Sequence, residues 1–269
     1  MEKFACVTGG SRGIGAQIAV KLAQLGYHVA LIAKTLEPHP KLAGTLATTA
    51  REVEKHGVRS LILQADLRDE QQIAAAFLKI KEEFGRLDVL VNNASAISLT
   101  PTQQTTPKRY DLMQQVNGRA TFFCSQAAFE LMKEDGGHIV MMSPPLSMHP
   151  KWFAGHLAYT ISKYSMSMCV LGLSAQWHEY NIGVNALWPK TLIATAAIEF
   201  NFPPELMKKA RDPSIVADAL GLLVQSSPSS VSGNFFTDEQ LLREHGQEDF
   251  SKYAIDPEHE PMLDLYLEP

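Results

Sequence analysis

Long apolar runs are missing from this chain of 269 residues. No window reaches about 18 uninterrupted apolar residues, so no membrane-spanning helix and no membrane partner are expected. Cysteine is scarce: Cys6, Cys124 and Cys169 are odd in number and show no metal-ligand spacing. That leaves no disulfide framework and no zinc site, and it fits reduced thiols packed in a core. No basic tract occurs and the formal net charge is −5, which excludes a nucleic-acid surface built from clustered Lys and Arg. No basic segment leads into an apolar stretch at the start, and Leu267-Glu268-Pro269 is not a peroxisomal address, so a cytoplasmic protein is expected. The histidines form no metal set either. His39, His149 and His156 fall in or beside loops, and no pair has helical ligand spacing next to a carboxylate.

Hydrophobic residues make up 45% and charged residues 20%, as in an ordinary globular protein, and the length suits one domain over residues 1–269. Short apolar runs alternate with longer stretches of helical period. Strands are predicted at 4–7, 28–33, 60–64, 87–91, 138–142 and 183–187, with a last one ending at Phe235-Phe236. Helices are predicted at 13–25, 45–55, 70–84, 108–133, 157–179 and 212–225. Repeated β-α-β units with near-continuous apolar strands predict an α/β fold, a Rossmann-type doubly wound parallel sheet covered by helices on both faces. From Glu239 onward (239–269) the chain reads as an irregular charged tail with Pro, Tyr and Phe. It either packs along the surface or a neighbouring subunit, or is partly disordered.

The first strand runs into Thr8-Gly9-Gly10-Ser11-Arg12-Gly13-Ile14-Gly15. Glycines let a backbone turn sharply and approach a pyrophosphate, and the helix that follows offers free N–H groups and a positive dipole end. Position supports this reading over a bare tight turn, because the loop follows the first strand and opens the first helix. The second strand ends Ala33-Lys34-Thr35. An NAD site wants a carboxylate there, a 2′-phosphate wants cations. Lys34 and Arg12, with the Thr35 hydroxyl, favour NADP(H) over NAD(H), unless both cations are merely solvated; Glu37 is placed just beyond the pocket. Asp66, after the third strand, either accepts from an adenine amino group with Leu67 against the ring or caps the next helix. Asn92-Asn93-Ala94 closes the fourth strand beside the cofactor.

Tyr159 precedes Lys163 by four residues, which sets both on one helix face. A free phenol, with a pKa near ~10, moves protons poorly at neutral pH, and a neighbouring ammonium lowers that value. Tyr-x-x-x-Lys alone is common on helix surfaces, but two residues give it weight. Ser143 follows a strand at its carboxyl end, where ligands bind in open α/β sheets, and its hydroxyl could polarise a carbonyl. Asn117 lies beside Gly118 in a helix that a local break would open, exposing a proton relay behind Lys163. The reaction these groups suggest is hydride transfer between a nicotinamide and a carbonyl or alcohol, with Tyr159 as the acid/base.

Taken together and in this order, Thr8/Gly9/Gly13/Gly15, Asp66, Asn92-Asn93-Ala94, Asn117, Ser143, Tyr159 and Lys163 resemble the short-chain dehydrogenase/reductase family over roughly residues 4–195. The resemblance implies an NAD(P)-dependent oxidoreductase with a small-molecule carbonyl or alcohol substrate, assembled as a homodimer or homotetramer through its long helices. It implies cofactor contacts from Gly9 to Gly15, from Asn93, Ala94 and Ser95, and from Pro189, Thr191 and Thr195. A catalytically silent cofactor sensor or scaffold is the rival reading; such proteins typically lack the tyrosine or the lysine, and this chain has both. The sequence departs from the family in Ser95 and Lys190, each at a usual glycine, and in the sixteen residues from Ser143 to Tyr159. Lys190 would meet an acid group on a ligand or point to solvent. Trp152 and Phe153 in the longer loop either line an apolar pocket with Leu146, Leu192 and Ile193 or pack the loop. Met166 and Met168 are read as core or subunit contact.

Overall fold

The computed structural model describes residues 2–37 and 43–268, so the predicted loop histidine His39 lies outside the described residues. The first half of the chain alternates β1 (Lys3–Thr8), α1 (Gly13–Gln24), β2 (Tyr27–Ala33), α2 (Leu46–Glu54), β3 (Ser60–Gln64), α3 (Glu70–Phe84) and β4 (Val89–Asn92). Then follow α4 (Pro107–Met113), a π-helical turn Gln114–Arg119, α5 (Ala120–Met132), β5 (Gly137–Met141), α6 (Lys151–Ala154), α7 (Leu157–Gln176) and β6 (Ile182–Trp188). The last part holds α8 (Ala196–Asn201), α9 (Ser214–Leu223), β7 (Phe235–Thr237) and α10 (Asp238–Glu244). All strand pairs are parallel, in the order β3-β2-β1-β4-β5-β6-β7. The doubly wound sheet expected from the sequence is therefore present, and its order reverses between β1 and β4.

β1 shows why the strands read as unbroken apolar runs. Its side chains alternate between faces: Phe4 and Cys6 pack under α3 and α5, while Ala5 and Val7 pack under α1 and α9. Both faces are covered, so both sets must be apolar. At about 25 cal/mol per Å² of apolar surface, a large side chain such as Phe4 or Val7 contributes on the order of 1.5–3 kcal/mol, and Ala5 less. Local chemistry fixes the helix ends. The Thr45 hydroxyl accepts the Thr48 N–H at 3.1 Å and the Thr48 hydroxyl accepts the Thr45 N–H at 2.7 Å, a reciprocal cap on α2. Gly85, at φ 77°, stops α3 in a conformation that a side chain disfavours.

The helical stretch expected over 108–133 is present, and it opens at Asn117 as expected, where Gln114–Arg119 widens to π geometry between α4 and α5. The cause is close approach to α7: a Cβ on Gly118 would overlap the Ser165 hydroxyl, and Asn117 is pulled to a neighbouring loop. The region from Glu239 begins inside α10; beyond Glu244 it is irregular apart from the short helical turn Ser251–Tyr253, and it packs back to the carboxyl end of β6, where Leu265 O accepts the Trp188 indole N–H. No helix among the described residues is long and apolar enough to cross a membrane.

Candidate active site

The glycine loop is stitched to the end of β4. The Thr8 hydroxyl donates to Val91 O and accepts the N–H groups of Asn93 and Ala94, at 3.0 and 3.1 Å, while the Asn93 amide donates to Thr8 O at 2.9 Å. Gly9 and Gly13 take φ of 68° and 54°. A Cβ on Gly15 would overlap Gly9 O and the Asn93 amide. These glycines keep the turn tight and its backbone bare. α1 begins without a side-chain cap, since Arg12 at its N-cap position makes none, whereas Thr45, Asp69 and Thr237 cap α2, α3 and α10. Its first N–H groups are thus left to a ligand, which suits the phosphates of a dinucleotide.

A cavity of about 370 Å³ starts at this loop, where Gly9, Ser11, Arg12, Gly13, Ile14 and Gly15 line it. Asn93, Ala94 and Ser95, beside the loop, also line it, as do Tyr159, Lys163 and Pro189. Lys34, Thr35, Asp66 and Leu67 are not part of its lining. Lys34 is exposed at the end of β2 with Thr35 beside it, and Glu37 is exposed. The Arg12 guanidinium donates to Gly44 O at 3.2 Å, and burial lowers its pKa. Asp66 is gripped by the Arg68 guanidinium, whose hydrogen bonds hold its carboxyl below the usual range. Asp66 does not cap α3: Asp69 accepts the Gln71 and Gln72 N–H groups, being one residue ahead of the helix where Asp66 is four. Leu67 is buried in the apolar layer under α3, which the sequence could not separate from an adenine contact.

At the catalytic end, the Ser143 hydroxyl is fully buried and has no hydrogen-bond partner. A buried hydroxyl left unpaired costs roughly 1–3 kcal/mol; Ser143 is not among the residues that line the cavity. α7 presents Tyr159 and Lys163 to the same cavity. The Lys163 ammonium donates to Met142 O at 2.7 Å and lies 5.2 Å from the centre of the Trp188 ring. Burial draws its pKa down to about 7, with Asp264 resisting. Tyr159 departs from the sequence expectation. Burial pushes its phenol well above the ordinary value, and Tyr266 and Asp264 add to the shift, while the ammonium meant to lower it is turned to Met142. Asn117, in the π turn, accepts the Ala96 N–H at 2.7 Å and donates to Ala96 O and to the Ser162 hydroxyl at 2.9 and 2.8 Å. It holds the loop after β4 against α7.

The C-terminal segment closes this end. Leu263 bridges Thr191, Leu192 N–H donates to Met262 O at 2.9 Å, and Asp264 N–H to Lys190 O at 3.0 Å. Asp264 and Leu265 line the cavity. Tyr266, buried at φ 71°, sits among the rings of Trp152, His156, Tyr159, Tyr164 and Trp188. Trp152, Phe153 and Leu146 pack in this cluster, whereas Leu192 lies in a separate one with Ile198. Ile193 and Thr195 reach the cavity; Thr191 does not, and its buried hydroxyl is unpaired. Lys190, partly exposed, pairs with Glu239 at 3.3 Å. Sequence reasoning missed Asp264 and Tyr266. The available signal was the every-second-residue apolar pattern Leu263, Leu265, Leu267, the mark of an extended segment against a core.

Comparison with known proteins agrees with this architecture. The family model described as short chain dehydrogenase matches residues 3–202. "Hydroxysteroid dehydrogenase-like protein 2" of Homo sapiens is 48% identical over 263 residues, which is 97% of this chain and 62% of the relative. This chain thus spans under two thirds of that relative's length. A crystal structure of a short chain dehydrogenase from Mycobacterium thermoresistibile matches with a TM-score of 0.92 at 40% identity, over 99% of this chain and 95% of the other. A metagenomic short-chain oxidoreductase in complex with NADP matches with a TM-score of 0.72 at 28% identity, over 87% and 96%.

Proposed function

The chain belongs to the short-chain dehydrogenase family, and from that premise we propose that it is an NADP(H)-preferring oxidoreductase acting on a carbonyl or secondary alcohol of a mainly apolar small molecule. The observation that carries this reading is a single cavity with the uncapped start of α1 at one end and Tyr159 with Lys163 at the other. When bound, the nicotinamide supplies the hydride to a carbonyl carbon, or receives it from an alcohol.

The chain's own groups do the rest. The loop from Gly9 to Gly15 and the α1 dipole hold the pyrophosphate. Arg12 in the cavity wall takes the 2′-phosphate, with Lys34 and Thr35 at the end of β2 outside the lining as further candidates; the NADP found in the metagenomic relative supports this choice. Pro189 and Thr195 orient the nicotinamide amide, with the Thr191 hydroxyl behind them, and Lys163 holds the ribose hydroxyls. The Ser143 hydroxyl donates to the substrate oxygen, and the Tyr159 phenol gives that oxygen its proton, or takes it in the reverse direction. A cationic ring and a ligand-turned ammonium would lower the phenol's pKa against the burial that raises it. Asn117 fixes the loop at Ala96 and links the site toward solvent. Apolar walls from Ile97, Ile193 and Leu265 favour an apolar substrate.

Thermal unfolding with NADPH and with NADH at matched concentrations tests the reading. Ligand at about a hundred times its dissociation constant adds roughly 2.7 kcal/mol of stability. A clear rise with NADPH and little with NADH is expected. A larger rise with NADH overturns the cofactor preference, and no rise with either overturns the enzyme.

A further inference from the structure

The cavity contains a carboxylate that the reaction above does not use. Asp264 is carried to the catalytic end by the C-terminal segment and lines the same space as Tyr159 and Lys163. Its position is fixed from both sides. Its own N–H donates to Lys190 O at 3.0 Å, and the Leu265 N–H donates to its Oδ1 at 2.7 Å. The Trp188 indole holds Leu265 O at 3.0 Å, and Tyr266 is anchored in the aromatic cluster beyond.

Its charge is not cancelled by an ion pair among the described residues. The neighbouring cations are engaged elsewhere: Arg211 and Lys190 pair with Glu239, at 2.6 and 3.3 Å. Asp238, the nearby second carboxyl, accepts the N–H groups of Lys190 and Glu239 at 2.8 and 2.7 Å. Lys163 is the cation that faces Asp264, and each alters the other's proton affinity.

The part of a dinucleotide that Asp264 meets follows from the cavity's polarity. Phosphates belong at the glycine loop, so the reactive ring lies at the opposite end, beside Tyr159. The oxidised ring carries a positive charge and the reduced ring none. A carboxylate in the same poorly solvated space attracts the charged oxidised ring and has no such attraction for the neutral reduced one. Accordingly, and resting on the cofactor reading above, we propose that Asp264 is a specificity residue that favours binding of the oxidised over the reduced nicotinamide.

The experiment compares dissociation constants of NADP+ and NADPH for the full chain and for Asp264→Asn, by calorimetric titration at pH 8.5. Asparagine keeps the size and the acceptor for the Leu265 N–H. Asp264 is raised to about 7, first by burial, so the parent carboxylate is charged at that pH. The variant is expected to weaken NADP+ relative to NADPH by on the order of tenfold, or about 1.4 kcal/mol. Asp264→Glu, which keeps the charge, is expected to stay near the parent ratio. An unchanged ratio in Asp264→Asn overturns the proposal, as does equal weakening of both forms. If the parent binds neither form, the cofactor reading itself fails and this inference with it.

Discussion

Trp188 and Leu265 are joined by a hydrogen bond from the indole N–H to the backbone carbonyl, 3.0 Å long. It ties the last residue of β6 to a segment that follows it by dozens of residues, and it seats Tyr266 against Tyr159. The C-terminal segment therefore packs against Trp188 and Tyr159 beside the cavity. Tyr266→Ala would leave a cavity among five aromatic rings and is expected to destabilise the protein by about 3–5 kcal/mol. Denaturant unfolding measures this; a change below about 0.5 kcal/mol would show that the segment is not seated.

Tyr159→Phe removes the phenol oxygen and little else. Turnover is expected to fall by at least about a hundredfold, the size of a general acid–base contribution. NADPH binding, measured by calorimetry, should stay within a few-fold of the parent. Retained turnover would mean that another group moves the proton.

Lys163 is expected to cost stability near neutral pH. In the folded chain it loses its proton at about 7, chiefly through burial, against ~10.4 for an unperturbed lysine. Between those values the unfolded chain binds more protons, so stability falls as pH drops from ~10 to ~7 and stays at the lower level below. Lys163→Met is expected to abolish turnover yet gain roughly 1–3 kcal/mol at neutral pH, with the gain shrinking toward pH 10. Thermal scans at both pH values decide it, and a loss of stability at pH 7 would contradict it.

Glu239 lies buried between Arg211, Lys190 and Arg243. Burial would raise its pKa, but the hydrogen bonds from Arg211 and Arg243 outweigh that and bring it to about 2. Because the folded value is depressed, its stabilisation is present above the unfolded value of ~4.3 and is lost as pH falls through about 2. Glu239→Ala leaves Arg211 buried without its partner and should cost about 3–5 kcal/mol at pH 7. Its acid unfolding should also be shallower than the parent's below pH 4. An equal acid slope in both proteins would remove Glu239 from the account.

Phe122, Met168 and Leu171 are exposed on α5 and α7, while Met166 on the same helix is buried. An apolar face on the two long helices is the expected contact for a homodimer or homotetramer. Light scattering should give a mass at least twice that of one chain. Phe122→Asp together with Met168→Asp should shift it toward one chain. A monomeric parent would refute the contact.

Some of this was written in local sequence. The glycine loop, the strand runs and the Tyr159–Lys163 spacing are properties of a few adjacent residues, so period and turn chemistry disclosed the sheet, the start of α1 and one catalytic face. Asp66 and Leu67 were ambiguous for the opposite reason. Arg68 captures the one and the α3 layer buries the other, and neither partner is visible in a motif. Only the folded chain decided that Asn117 would clamp Ala96, that Lys190 would be claimed by Glu239, and that Asp264 and Tyr266 would enter a site built a hundred residues earlier. Those outcomes depend on contacts between segments far apart in the chain. Their energies come from burial and charge in shared space, which no window of sequence contains.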